Sequence, residues 1–165
     1  RIRVLTNSLA SNDMLAAHAG YAENREELLA AGVELYELRS APAVKKRILY
    51  LSGPSRSTLH ANVYVFDRKD VFIGSLNLDP RSGDINTEAG LYIESPELAA
   101  QVIAYMEEGV RPENSYRVLL DADSDLYWVT ETSGKSERYD HDPNSTAWQR
   151  AKVRFIRMLP VMNQL

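Results

Sequence analysis

The sequence predicts an α/β sandwich: a central mixed β-sheet flanked by helices, with a small β-rich appendage at the C-terminal end. Three observations predict it. Runs of β-branched and aromatic residues alternate with helical stretches through the first two thirds of the chain, the pattern of strands separated by packing helices. Beyond residue 115 the texture changes to short strand-like runs divided by polar turns. The 165 residues, 44% hydrophobic and 25% charged, are enough for one domain with a proper core.

RIRVLTNS at the start reads as a strand entering a polar turn. Ser11, Asn12 and Asp13 offer N-cap chemistry for a helix to about Ala31, with Gly20 as the point where it can break and Gly32 at C′. VELYEL is the next strand, and residues 40–57, with Pro42, Gly53 and Pro54, read as an irregular loop. LHANVYVF and DVFIGSLNL form a hairpin turned at Asp67–Asp70, and TEAGLYIES is a further strand. Ser95 as N-cap and Pro96 at N1 open a helix to about Glu108. YRVLLD, LYWVTE and KSERYD are short strands, with Thr132, Ser133 and Gly134 turning between the last two. A final helix runs from about Ser145 to Leu159, stopped by Pro160. The division expected is a main unit over 1–115 and an extension over 116–165 packed on it.

Composition removes several function classes. With no cysteine, disulfides and thiolate metal sites are excluded. His18, His60 and His141 are too scattered for a zinc site. A net charge of −4 gives no overall basic footprint, which argues against nucleic acid as the main partner. No uncharged apolar run nears the roughly 18 residues that span a bilayer. The chain opens on Arg1 in what reads as a strand, and the expectation is a piece of something longer with no signal peptide at this point.

The most informative stretch is HANVYVFDRKDVFIGSLNLDPRSGDINTE, from His60 to Glu88. On a strand, residues two apart share a face, so His60, Asn62, Tyr64 and Phe66 project one way and Ser75 and Asn77 share a face on the next strand. If the strands pair, an imidazole, a hydroxyl and two carboxamides meet near one sheet end, groups suited to holding and attacking an anionic phosphate. Asp67 lies at odd spacing from His60 and reads as structural.

This stretch resembles the second HxK(x)4D(x)6GSxN motif of the phospholipase D superfamily. His60, Asp67, Gly74, Ser75 and Asn77 fall at the family spacing, and Asn62 stands where the family has lysine. The resemblance implies a phospholipase D-like sandwich and phosphodiester transfer through a phosphohistidine, with His60 catalytic and no metal or other cofactor. It implies that Glu88, 28 residues after His60, orients that imidazole, and that Ser75 and Asn77 donate to phosphoryl oxygens. Asp67 and Gly74 are motif positions with structural roles.

The segment LTNSLASNDMLAAHAGYAENREELLAAGVELYEL, the GSLNLDPRS extension and the ending DHDPNSTAWQR are similar to bacterial cardiolipin synthases of the C type. That implies the C-terminal half of a two-motif protein, whose site is completed by the N-terminal half or by a second copy. Phospholipids with anionic headgroups are the implied substrates, and a peripheral position on the bacterial inner membrane is the implied location. Other readings are a homodimeric phosphodiesterase or nuclease of the same superfamily and a lipid-binding module without turnover. Asn62 bears on all of them, since asparagine donates a hydrogen bond but cannot neutralise charge.

Elsewhere, His18 and Tyr21 read as structural, and His141 as turn chemistry. Arg81 reads as a solvated loop arginine, and Lys45, Lys46 and Arg47 as a loop cluster that could face anionic lipid. Arg150, Lys152, Arg154 and Arg157 accompany Trp148, Phe155 and Ile156 on the last helix, with no acid after Asp142. That mix fits ordinary amphipathic packing and also allows docking at a membrane surface.

Overall fold

The computed structural model describes residues 1–11, 15–40, 62–77, 87–132 and 134–158. Along them run β1 (Arg3–Asn7), α1 (Leu15–Ala30), β2 (Glu34–Leu38), β3 (Asn62–Phe66), β4 (Asp70–Gly74), β5 (Gly90–Glu94), α2 (Pro96–Gly109), β6 (Ser115–Leu120), β7 (Leu126–Thr132), β8 (Lys135–Tyr139) and α3 (Ala147–Met158). His60, Arg81, the Lys45–Arg47 cluster and the loop expected over 40–57, apart from Ser40, lie outside the described residues.

The strands form two sheets. One has five strands in the order β1-β2-β6-β7-β8, and the other three in the order β3-β4-β5. β1 and β2 are parallel, as expected for strands joined through a helix, and the remaining pairs are antiparallel, so the larger sheet is mixed. β6 crosses the 115/116 position and pairs with β2, so the C-terminal strands continue the larger sheet.

Local chemistry sets the element ends. α1 runs from Leu15 to Ala30 unbroken through Gly20, the point where the sequence allowed a break. A single glycine costs a helix only about 1 kcal/mol, and Ala19 and Ala22 beside it are buried in a cluster that holds the segment. The helix stops where Gly32 turns to a φ of 83°: Val33 N–H bonds the Leu28 carbonyl at 3.0 Å and Gly32 N–H that of Leu29 at 2.9 Å, a Schellman ending. At α2, Ser95 Oγ accepts from Leu98 N–H at 3.2 Å, with Pro96 in the first turn. α3 starts at a capping box: Gln149 N–H donates to Thr146 Oγ1 at 3.1 Å, and Thr146 N–H to Gln149 Oε1 at 2.8 Å.

The main core lies between α1 and the larger sheet, where Tyr21, Leu35, Tyr116, Val118 and Trp128 are buried together. A second cluster of Leu9, Ala19, Ala22 and Val153 joins α1 to α3. α2 packs on β3 and β4, and its end meets β1: a Cβ on Gly109 would lie 2.5 Å from Leu5 Cδ2, so glycine permits the approach. An Arg3–Glu107 ion pair closes the same junction.

Candidate active site

The site is built on one end of the three-stranded sheet. The β3–β4 hairpin turns through Asp67 and Arg68, both at positive φ (49° and 59°), and Lys69 N–H bonds the Phe66 carbonyl at 3.0 Å. Positive φ at both central residues matches the strand twist, and aspartate tolerates it better than most residues. Asp67 therefore stands at the far end of the hairpin from Asn62. Lys69 lies there too, bonded to Glu94 at 2.7 Å.

At the other end, Asn62 stands opposite Gly74, and Gly74 opposite Gly90. A Cβ on Gly74 would fall 2.6 Å from the Ala89 carbonyl oxygen, and one on Gly90 would meet the Phe72 ring at 2.2 Å. Two facing glycines let the chain after β4 close against the chain before β5. Ser75 N–H then bonds Ala89 O at 2.9 Å, and Ser75 Oγ accepts from Ala89 N–H at 3.1 Å. Its hydroxyl donates to Glu88 Oε2.

β4 ends at Gly74, so Ser75 and Asn77 do not share a strand face as the alternation suggested. The Asn62 side chain gathers them instead. Its Nδ2 donates to Ser75 O and to Asn77 Oδ1, each at 3.1 Å. The amide orientation follows from the partner, because a backbone carbonyl only accepts and the nitrogen must face it. Tyr64, on the same face as Asn62, donates to Leu76 O at 2.8 Å and leans on the Phe72 ring. Asn62, Ser75, Asn77 and Glu88 thus form one connected polar cluster at a partly open sheet end. It holds one carboxylate, one hydroxyl and two carboxamides, chemistry able to orient an imidazole and to donate to an anion.

A second polar cluster escaped sequence reasoning. Arg25 Nη2 lies 2.9 Å from each of Glu37 Oε1, Asp142 Oδ1 and His18 Nε2. Glu37 is fully buried, and also accepts from Tyr21 OH at 3.1 Å and Trp128 Nε1 at 3.0 Å. The Arg25 guanidinium lies 5.0 Å from the Tyr21 ring centre and 5.2 Å from that of Trp128. Burial would lower the charge on Arg25, but Glu37 and Asp142 raise its pKa above the ordinary value. The signal was present: Glu37 falls in phase with Val33 and Leu35 on the core side of its strand, and Arg25 in phase with Tyr21 and Leu28 on its helix. A charge inside an apolar stripe requires a partner. The cluster is enclosed and every member is bound to another, so it clamps α1 to β2, β7 and the segment before α3.

The mixed-sheet α/β fold and the sequence match together make the chain a member of the phospholipase D superfamily. The family model described as "Cardiolipin synthase, PLD-like domain" matches residues 1–109, and the chain belongs to that family. It is 40% identical over 163 residues to cardiolipin synthase C of Escherichia coli (strain K12), covering 98% of this chain and 34% of that protein. It is also similar to two uncharacterized proteins of Helicobacter pylori. Identity is 33% over 104 residues for strain ATCC 700392 / 26695 (61% of this chain, 20% of the relative) and 26% over 162 residues for strain J99 / ATCC 700824 (96% and 31%). The chain therefore spans at most about a third of the length of these relatives. No solved structure matches it.

Proposed function

We propose that this chain supplies one half of a phosphatidyl-transfer site that makes cardiolipin from a phospholipid donor and phosphatidylglycerol. The observation that carries the reading is the hydrogen-bonded cluster of Asn62, Ser75, Asn77 and Glu88, of which Asn62 stands two residues after His60 in the sequence, in a chain of the cardiolipin synthase family. In this mechanism His60 serves either as nucleophile, forming a phosphohistidine, or as the acid–base partner of a second histidine. Glu88 fixes the imidazole tautomer, while Asn77 and, once its hydroxyl turns from Glu88, Ser75 donate to the phosphoryl oxygens. The second histidine comes from an N-terminal half or a second copy. The protein works peripherally at the bacterial inner membrane. Among the described residues no helix is long and apolar enough to cross a membrane.

Asn62 favours a second reading, a lipid-binding module without turnover. Its amide is neutral and its Nδ2 is spent on Ser75 O and Asn77 Oδ1, so it offers no charge where negative charge builds in the transition state.

Mass spectrometry of vesicles containing phosphatidylglycerol and phosphatidylethanolamine separates the two, using this chain, Asn62→Lys, and each with His60→Ala. Cardiolipin that appears with Asn62→Lys and vanishes with His60→Ala supports transfer. Product that survives His60→Ala sinks it, and vesicle binding without product from any form favours the second reading.

A further inference from the structure

The last helix has two apolar faces, and only one is used. At about 100° per residue, Val153 and Ile156 lie on one side of α3, where Val153 is buried and Ile156 packs on the α1–α3 cluster. Trp148, Ala151, Phe155 and Met158 fall on a different arc, roughly 80° wide. Trp148 is 69% exposed, Phe155 63% and Met158 78%. Trp148, Ala151, Lys152, Phe155 and Ile156 line a shallow apolar groove. Lys152 and Arg154 flank the arc, Lys152 about 40° beyond Trp148 with its Nζ 5.2 Å from that ring centre and Arg154 about 40° beyond Met158, while Arg150 and Arg157 lie further round the helix.

None of the four cations makes an ion pair among the described residues. No acid follows Asp142 in the chain, although its net charge is −4. Positive charge is thus concentrated around a helix face that leaves two large aromatic side chains in water. A packing helix needs neither feature. An in-plane membrane helix needs both, with the apolar face at the acyl boundary and the cations at the headgroups.

We propose that the outer face of α3 docks on a bilayer surface bearing anionic headgroups. Trp148, Phe155 and Met158 enter the interface, and Lys152, Arg154 and Arg157 hold headgroup phosphates. Charge complementarity selects this occupant: a second copy would bring the same cations against themselves. The inference does not rest on the chemistry proposed for His60, and its test reads binding rather than transfer.

The test uses the 165-residue chain and vesicles of phosphatidylglycerol mixed with phosphatidylcholine, compared with pure phosphatidylcholine, read by flotation and by tryptophan emission. Of the two tryptophans, Trp128 is 3% exposed and Trp148 69%, so a lipid-induced blue shift reports Trp148. Binding is expected on the anionic vesicles alone, with a blue shift that Trp148→Phe removes, and weakening as salt rises. Lys152→Gln/Arg154→Gln/Arg157→Gln is expected to lower partitioning about a hundredfold, at about fivefold per cation, with an unchanged far-ultraviolet circular dichroism spectrum. Undiminished partitioning of that triple variant, or equal binding to neutral vesicles, overturns the proposal. So does a chain that ignores both vesicles but forms a dimer that Trp148→Ala dissociates, which assigns the face to a second copy.

Discussion

Arg25, in the middle of α1, donates to Asp142 across a separation of 117 residues, Nη2 to Oδ1 at 2.9 Å. This bond ties the helix that covers the larger sheet to the segment leading into α3. It belongs to the buried cluster with Glu37 and His18, which contains no group from the β3–β5 site.

Removing the cation alone is therefore expected to be costly. Arg25→Met leaves Glu37 buried with only Tyr21 OH and Trp128 N–H as partners, and breaking one side of a buried pair costs about 3–5 kcal/mol. Urea denaturation measures it. Adding Glu37→Gln should recover part of the loss, and a second change that only added to the first would show that the two do not act as a pair.

The same cluster gives a pH dependence with a definite sign. Burial by itself would push the Asp142 carboxyl up, but the His18 imidazole and Arg25 guanidinium more than reverse that and bring it from 3.8 down to about 2. A carboxyl held lower in the folded chain than in the unfolded one adds stability that is complete above about pH 4 and is lost as pH falls through about 2. Roughly 2 kcal/mol is at stake. Unfolding free energies of the wild type and Asp142→Asn should converge by about that amount across this window, and a gap indifferent to pH would contradict it.

At the site, Asn62→Lys is expected to raise phosphatidyl transfer by about 10²–10³. The ammonium restores a charge for the phosphoryl oxygens while still reaching acceptors such as Asn77 Oδ1. Initial rates under saturating lipid check this, and an unchanged rate would place the deficit elsewhere.

Gly74→Ala tests the closure beneath that cluster. Its methyl would fall 2.6 Å from Ala89 O, a backbone atom, and would force apart the Ser75 N–Ala89 O bond of 2.9 Å. A loss of about 1–3 kcal/mol is expected, together with faster amide exchange at Ser75 and Ala89. Unchanged exchange would mean that the loop tolerates the methyl.

Features that depend on neighbours along the chain were legible in the amino-acid order alone. The Asn62–Gly74 hairpin, the Ser95–Pro96 helix start and the Gly32 stop are written in turn and cap chemistry acting over a few residues. The motif spacing on which the family resemblance rests is read along the chain in the same way. Tertiary structure decided what depends on which elements meet. Asn62 gathers Ser75 and Asn77 only because β3 and β4 pair in one register and the ladder stops at Gly74. Glu37 and Arg25 each break an apolar stripe visibly, yet their partner Asp142 and the donor Trp128 lie far along the chain, on elements whose packing no local pattern encodes. The outer face of α3 is the same kind of case. Its composition shows two sets of apolar residues, and only the docking of Val153 and Ile156 on α1 decides which set is left in water. Local geometry is fixed by bonds and short-range sterics, whereas burial is settled by the one arrangement of elements that satisfies the apolar faces and buried charges together.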